Sequence, residues 1–157
     1  AFSQLLKKKG DLNLYIAGDG EEKMNLERYI QSNSLEKNIF LLGHVENVYP
    51  IIRDSLALIS SSLWEDPGAV MIETAYCNKI VISSNCPNGP EEFLKNGKGG
   101  FLFKNNDAFD LENKINDFLN ESESAKFKRA VTSKKNSKMY SLFRHYLELN
   151  KILFQKI

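Results

Sequence analysis

Residues 60–84, with the sequence SSSLWEDPGAVMIETAYCNKIVISS, predict a loop, a helix and a strand in succession. The apolar run at 56–59 predicts a buried strand leading into this stretch, and the apolar residues at 80–82 predict the next strand. Between them, Asp66 and Pro67 predict a helix start, with Asp66 as the N-cap and helical residues from 68 to 77. Strand, loop, helix and strand together form one repeat of an α/β fold.

Two carboxylates accompany this predicted helix. Glu65 directly precedes its start, and Glu73 lies about two turns further along. The first helical amides, from Gly68, Ala69 and Val70, point toward the same end, and a helix N-terminus attracts anions such as phosphate. Two carboxylates repel a bare phosphate, but they can accept hydrogen bonds from a vicinal diol. The pattern therefore favours a ligand with an anionic middle and hydroxyl-rich ends, such as a nucleotide sugar.

Strands and helices alternate along the rest of the chain. Strands are predicted at 11–17, 39–42, 56–59, 79–83 and 101–103, and helices at 22–32, 48–55, 68–77, 91–95 and 107–120. This alternation predicts a Rossmann-like, doubly wound parallel sheet with helices on both faces. Ligands of such sheets bind beyond the carboxyl ends of the strands, where Gly18, His44 and residues 61–68 and 85–90 fall.

The order of short motifs resembles that of the retaining family 4 glycosyltransferases of the GT-B fold. Glu65 and Glu73 have the spacing of that family's Glu-x7-Glu signature. Further motifs follow the family's order over residues 2–119: Gly-Asp-Gly at 18–20, Phe-Leu-Leu-Gly-His-Val at 40–45, Val-Ile-Ser-Ser at 81–84, Gly-Pro-Glu-Glu at 89–92 and Gly-Phe-Leu at 100–102. The resemblance implies the C-terminal, donor-binding half of a GT-B enzyme.

The resemblance also implies roles for individual residues. Glu73 would hold the ribose hydroxyls of the nucleotide, and Glu65 would approach the donor sugar as the catalytic residue. The amides of Gly68, Ala69 and Val70 would bind sugar hydroxyls and phosphate. The other expected donor-binding residues are Gly18, Gly20, His44, Val45, Gly89 and Pro90. No metal and no cofactor is expected.

Some of these positions keep an alternative interpretation. The turn at 18–20 is as typical of a tight strand-to-helix connection as of ligand contact, and it lacks the third glycine of a dinucleotide fingerprint. His44 is a residue type used for acid–base chemistry, for packing or for hydrogen bonding; the resemblance places its backbone and that of Val45 near the nucleotide base. The glycines at 97, 99 and 100 predict a turn, with a phosphate cradle as the alternative.

The chain departs from the family pattern after the first glutamate. The family has Gly-Phe-Gly where this chain has Asp66, Pro67 and Gly68. Pro67 has no N–H to donate, and Asp66 adds a charge near the sugar, so the donor sugar stays open. The resemblance favours a UDP-sugar, because related sequences with a Cys-Pro-x-Gly-Pro-x-Glu loop, matched here by residues 86–92, often use one.

The expected function is the donor domain of a hexosyltransferase that binds a UDP- or GDP-linked sugar and transfers it, with retention, to a growing glycan or lipid-linked acceptor. Polysaccharide, capsule or lipopolysaccharide synthesis is the expected context. The alternatives are a nucleotide-sugar epimerase of the same architecture and a non-catalytic Rossmann-like binding module.

We expect residues 1–157 to form one donor-binding domain, an excerpt of a longer two-domain enzyme, with C-terminal helices over 121–157. The resemblance implies an upstream acceptor domain and an upstream Arg and Lys that neutralise the diphosphate. We therefore expect the chain alone to transfer no sugar. A central strand between those at Leu12 and Leu56 is expected to come from another segment.

Composition and charge limit the classes of binding partner that we expect for this chain. The 157 residues are 42% hydrophobic and 26% charged with a net charge of +1, which implies no general attraction to nucleic acid or membrane. Cys77 and Cys86 are expected to be free thiols of a cytoplasmic protein. The basic segment 126–138 is either a solvated helical face or a peripheral contact with the inner face of an anionic membrane.

Overall fold

A computed structural model describes residues 1–154, and the predicted continuation of the last helix to residue 157 lies outside them. The chain divides into two compact units, Ala1–Pro50 and Ile51–Ile157. The predicted α/β fold with parallel strands is confirmed. Within the described residues the strands form two parallel sheets, one of two strands and one of three. The prediction that a further segment supplies a central strand stays a prediction.

The first unit contains a two-stranded parallel sheet. Its elements are α1 (Phe2–Lys8), β1 (Leu14–Ala17), α2 (Lys23–Ser32) and β2 (Ile39–Gly43). Leu14 pairs with Ile39, and the register shifts before Ala17. Because side chains alternate between the faces of a strand, Tyr15 and Phe40 share one face, where their rings stack with centroids 5.0 Å apart.

The second unit contains the three-stranded sheet and most of the helices. Its elements are α3 (Tyr49–Asp54), which begins at the unit boundary, β3 (Ala57–Ser60), α4 (Ala69–Tyr76), β4 (Ile80–Ser84), α5 (Pro90–Phe93), β5 (Phe101–Phe103), α6 (Ala108–Asn120), α7 (Glu123–Ser137), a 3₁₀ turn (Lys138–Tyr140) and α8 (Leu142–Phe154). The strand order is β3-β4-β5, so β4 is central and all five of its residues are buried. A continuous apolar run is typical of such a strand.

The core of this unit packs on β4. Its fully buried members are Met71, Ala75, Val81, Phe93 and Leu94. Tyr140 packs edge-on against the Phe93 ring, with centroids 5.7 Å apart. Burial raises the pKa of the Tyr140 hydroxyl, and the Glu92 carboxylate raises it further. The 3₁₀ turn after α7 is thereby anchored to the same core as α4.

The glycine-rich turn before β5 is held by an arginine of α7. Arg129 pairs with Glu121, donates to the carbonyls of Gly97 and Gly100, and lies 4.4 Å from the centroid of the Phe101 ring. A methyl group added to Gly100 would overlap the Val81 carbonyl. These contacts lie at the amino end of β5, opposite the edge where parallel sheets bind ligands, which favours the turn interpretation over a phosphate cradle.

The last helix, α8, has no buried residue within its described range. Its large exposed side chains are Leu142, Phe143, Tyr146, Leu149, Ile152, Leu153 and Phe154. Among residues 1–154, no helix has the length and hydropathy needed to cross a membrane.

Candidate functional site

The start of α4 differs from the prediction. The helix begins at Ala69 and its N-cap is Gly68, whereas Asp66 was expected to cap it with Pro67 as the first helical residue. The prediction was wrong because Gly68 has φ +85° and ψ +71°, a left-handed conformation that interrupts helical backbone and that glycine adopts at low cost. The Asp66–Pro67 peptide bond is cis. No side chain caps the helix, and the amides of Ala69 and Val70 are its first two.

The Glu65 carboxylate is held by two serine hydroxyls. Ser62 Oγ donates to Glu65 Oε1 over 2.6 Å, and Ser60 Oγ lies 3.4 Å from the same oxygen. The other oxygen, Oε2, lies beside Gly68: a methyl group added there would sit 3.3 Å from it. The first predicted glutamate therefore lies next to the N-cap of α4 with one oxygen engaged by the protein.

Glu73 lies on α4 itself and is half-buried. No hydrogen bond or ion pair of its carboxylate occurs within the described part of the chain, whereas its backbone carbonyl accepts from the Cys77 amide. Carboxylates at half-buried positions usually have partners, because burying a charge without one costs free energy. Glu73 is therefore available to accept hydrogen bonds from a ligand.

The loop after β4 lies against the loop that carries Glu65. The Glu65 amide donates to the Pro87 carbonyl over 3.3 Å. Gly89 has φ +137°, and a methyl group on it would come within 2.7 Å of the Pro67 carbonyl oxygen. Only a glycine permits this approach, so the predicted pair Gly89 and Pro90 lies beside the glutamate loop. A cavity of about 570 Å³ opens here, lined by Asn85, Cys86, Pro87, Asn88, Gly89, Glu91, Glu92 and Asn96.

The segment after β5 contributes a third contact. Asn105 Nδ2 donates to the Leu63 carbonyl over 3.3 Å. The Oδ1 of the same amide is buried and has no hydrogen-bond partner in the described residues. The loops that follow β3, β4 and β5 therefore meet at one edge of the sheet, as the topology predicts.

The predicted site residues of the first unit lie at the carboxyl end of its own sheet. Gly18, with φ +137°, follows β1, and its amide donates to the Gly43 carbonyl over 2.7 Å. The Gly20 amide is bonded to the Asp19 carboxylate. His44 and Val45 follow β2, the first exposed and the second half-buried. Their roles as donor contacts stay predictions.

Within the second unit, the structure places six predicted residues at one sheet edge: Glu65, Gly68, Ala69, Val70, Gly89 and Pro90. The seventh, Glu73, lies further along α4. Four residues that hold this edge in shape were not predicted from the sequence: Ser60, Ser62, Ser84 and Asn105. The three consecutive serines before the glutamate were a usable signal. The partner of each serine depends on loop contacts, and local pattern does not reveal these.

A second cavity of the second unit, of about 560 Å³, is separate from this edge. It lies at the amino end of β5, around Arg129 and the turn at Gly97. Ligands of parallel sheets bind at the opposite edge, so we do not assign the donor to this cavity.

In the described portion, no group of three or more His, Cys, Asp or Glu side chains could hold a metal ion.

A protein-family model and several known proteins match this chain. The family model described as "Glycosyl transferases group 1" matches residues 1–138. A poly(ribitol-phosphate) alpha-N-acetylglucosaminyltransferase of Staphylococcus aureus (strain COL) is 28% identical over 116 residues, which is 74% of this chain and 24% of that protein. The GalNAc-alpha-(1->4)-GalNAc-alpha-(1->3)-diNAcBac-PP-undecaprenol alpha-1,4-N-acetyl-D-galactosaminyltransferase of Campylobacter jejuni is 32% identical over 106 residues, which is 68% of this chain and 29% of that protein.

A solved structure shows the same fold. It is a mutant of S. aureus TarM in complex with fondaparinux, alpha-GlcNAc-glycerol and UDP; its TM-score is 0.86 and its identity 25%, with 98% of this chain and 31% of that chain covered. The chain thus spans 24% to 31% of the length of these three proteins.

Proposed function

This chain belongs to the group 1 glycosyl transferase family, and from that membership we propose that it is the donor-binding part of a retaining hexosyltransferase that uses a nucleoside-diphosphate sugar. A UDP-sugar is the favoured donor. The acceptor is a growing glycan or a lipid-linked saccharide, held by a segment other than these residues. Synthesis of a surface polysaccharide is the proposed context.

The observation that carries the proposal is that the two glutamates at α4 differ in their hydrogen-bond partners. Glu65 is anchored by serine hydroxyls beside Gly68, and Glu73 is half-buried with a carboxylate that has no partner in residues 1–154. The first amides of α4 lie between them in the chain and favour an anion. A nucleotide sugar has a group for each of these three features. Its diphosphate suits the helix amides, and the hydroxyls at its two ends suit the two carboxylates.

The relatives support the donor class. Two of them are named as N-acetylhexosaminyltransferases, and the TarM structure contains UDP. We therefore take UDP-N-acetylglucosamine as the first donor to test. Retention of configuration and membership of family 4 rest on the Glu65–Glu73 spacing and stay part of the proposal.

Thermal stabilisation by nucleotides tests the proposed function. A ligand that binds only the folded state at 100 times its Kd adds about 2.7 kcal/mol, which for a chain of this size raises Tm by roughly 5–10 °C. UDP and UDP-N-acetylglucosamine are expected to give such a shift, and GDP a smaller one. AMP and NAD at equal concentration are the controls and are expected to give no shift.

Equal shifts from UDP, GDP, AMP and NAD, or none from UDP, would contradict the proposal. The first result would favour a non-catalytic nucleotide-binding module. Release of an epimerised nucleotide sugar would instead favour the epimerase alternative.

The basic segment 126–138 supports a second, weaker interaction. Three of its cations serve contacts within the fold: Lys126 pairs with Glu123, Arg129 with Glu121, and Lys134 donates to Asn78. The other three, Lys128, Lys135 and Lys138, are exposed, as is 69% of the Phe127 side chain. We propose that these exposed groups contact the anionic inner face of a membrane in a cytoplasmic protein that acts on lipid-linked acceptors.

Vesicle co-sedimentation tests this contact. Each lysine near an anionic surface contributes about 1 kcal/mol, so replacing Lys128, Lys135 and Lys138 by Gln is expected to weaken partition onto vesicles with 30% phosphatidylglycerol by roughly 100-fold. The matched control removes three exposed lysines outside the segment 126–138, Lys7, Lys37 and Lys98. Equal losses for the two triple variants, or equal partition onto neutral phosphatidylcholine, would refute a specific contact through this segment.

A further inference from the structure

The serine-rich end of β3 is built around the Glu65 carboxylate. Ser60 is the last residue of β3, pairs with Ser83 of β4 and is 7% exposed. Ser61 is exposed, and its side chain makes no hydrogen bond within the described residues. Ser62 is half-buried and turns its hydroxyl toward Glu65. Of three adjacent serines, the first and third therefore contact the carboxylate and the second does not.

The loop that carries Ser62 is anchored from two other strands. The hydroxyl of Ser84, the fully buried last residue of β4, donates to the Ser62 carbonyl. Asn105, which follows β5, donates to the next carbonyl, that of Leu63. Two consecutive peptide groups of the loop are thus fixed by side chains outside it, so the Ser62 hydroxyl has little freedom to leave Glu65.

The hydrogen bonds divide the two oxygens of the carboxylate. Both serine hydroxyls lie near Oε1, and the 2.6 Å distance from Ser62 is typical of a strong bond from a hydroxyl to an ionised oxygen. Oε2 accepts no hydrogen bond from residues 1–154, and a methyl group added to Gly68 would lie 3.3 Å from it. The protein therefore uses one oxygen to set the orientation of the carboxylate and leaves the other for a ligand.

We propose that Ser62 is a positioning residue for Glu65: it holds Oε1 so that Oε2 is presented to a hydroxyl of the donor sugar. This inference rests on the proposed function for the identity of the ligand. Ser62 itself touches neither the nucleotide nor the sugar, and it acts through the carboxylate. Its loss should therefore affect the sugar and spare the nucleotide.

Calorimetric titration of the chain with UDP and with UDP-N-acetylglucosamine tests the role. Ser62→Ala is expected to weaken binding of the nucleotide sugar by roughly 10-fold, the usual effect of losing a hydrogen bond to a charged group, and to change UDP affinity less than about 2-fold. Ser62→Thr keeps a hydroxyl at the same atom and is expected to restore binding of the nucleotide sugar. Ser124→Ala removes an exposed hydroxyl of α7, away from this edge, and is the matched control; it is expected to bind both ligands as the unmodified chain does.

Equal losses for both ligands in Ser62→Ala, or no rescue by Ser62→Thr, would overturn the positioning role. If the unmodified chain bound neither ligand, the proposed function would fail. The role of Ser62 would then be decided by a measurement that needs no bound ligand. Side-chain carbon relaxation at Glu65 is expected to report a restricted carboxylate in the unmodified chain and in Ser124→Ala, and a mobile one in Ser62→Ala. The same mobility in all three chains would refute the role whatever binds.

Discussion

Glu73→Gln is expected to weaken binding of UDP and of UDP-N-acetylglucosamine alike, by roughly 10- to 100-fold. The substitution keeps the shape of the side chain and removes a charged acceptor, and a hydrogen bond to a charged group contributes about 1.5–3 kcal/mol. Glu73 is half-buried on α4 and its carboxylate has no partner in the described chain. No internal contact is therefore lost, and the expected effect comes from the ribose hydroxyls that both ligands carry.

Glu65→Gln is expected to give a different result. Free UDP lacks the sugar that Glu65 is proposed to contact, so its affinity should stay the same or rise slightly, because a negative charge beside a helix N-terminus competes with phosphate. Binding of UDP-N-acetylglucosamine should fall. The amide of Gln can still accept from the Ser62 hydroxyl, so the local fold should persist.

Calorimetric titration of both variants with both ligands checks this division of roles. It is best repeated in a longer protein that includes the upstream cationic residues implied by the family resemblance. Glu36→Gln, at an exposed carboxylate of the first unit, is the matched control for loss of one negative charge. Unchanged affinity in Glu73→Gln would contradict the assigned nucleotide site. Equal losses for both ligands in Glu65→Gln would refute the division between the two glutamates.

Gly68→Ala is expected to destabilise the fold by about 2–5 kcal/mol. A left-handed conformation costs a residue with a Cβ about 1–2 kcal/mol, and overpacking a core costs about 1–3 kcal/mol more. Gly68 has φ +85°, and a methyl group on it would overlap Cε of Met71, a fully buried core residue. The same methyl group would press on Glu65 Oε2, so binding of the nucleotide sugar should weaken as well.

Gly97→Ala separates the two contributions. Gly97 has a similar φ of +83°, but the nearest atom to an added methyl group is the Gly100 carbonyl oxygen at 4.0 Å. Its expected loss is therefore the conformational part alone, about 1–2 kcal/mol. Urea unfolding of both variants measures the difference. A loss in Gly68→Ala no larger than in Gly97→Ala would show that Met71 moves aside freely and that the overlap has no cost.

Several features of this protein follow from its sequence alone. The apolar run at 101–103 gave β5 with its observed bounds, and the alternation of strands and helices gave the parallel α/β fold. The order of glycine and glutamate motifs placed Glu65 and Gly89 in the loops that follow β3 and β4. These inferences succeed because burial and turn chemistry act over a few neighbouring residues, where periodicity and residue type are directly legible.

Other features depended on contacts between segments distant in sequence. The start of α4 was misplaced at Asp66 because the left-handed Gly68 lies beside the core residue Met71, which no capping pattern reveals. Arg129 belonged to a run that resembled a solvated face, yet it binds the turn at Gly97. Ser62, one of three adjacent serines, contacts Glu65 because the loops after three strands meet and fix its position. Tertiary structure decides such features because a hydroxyl or guanidinium finds its partner only after the sheet has brought the loops together.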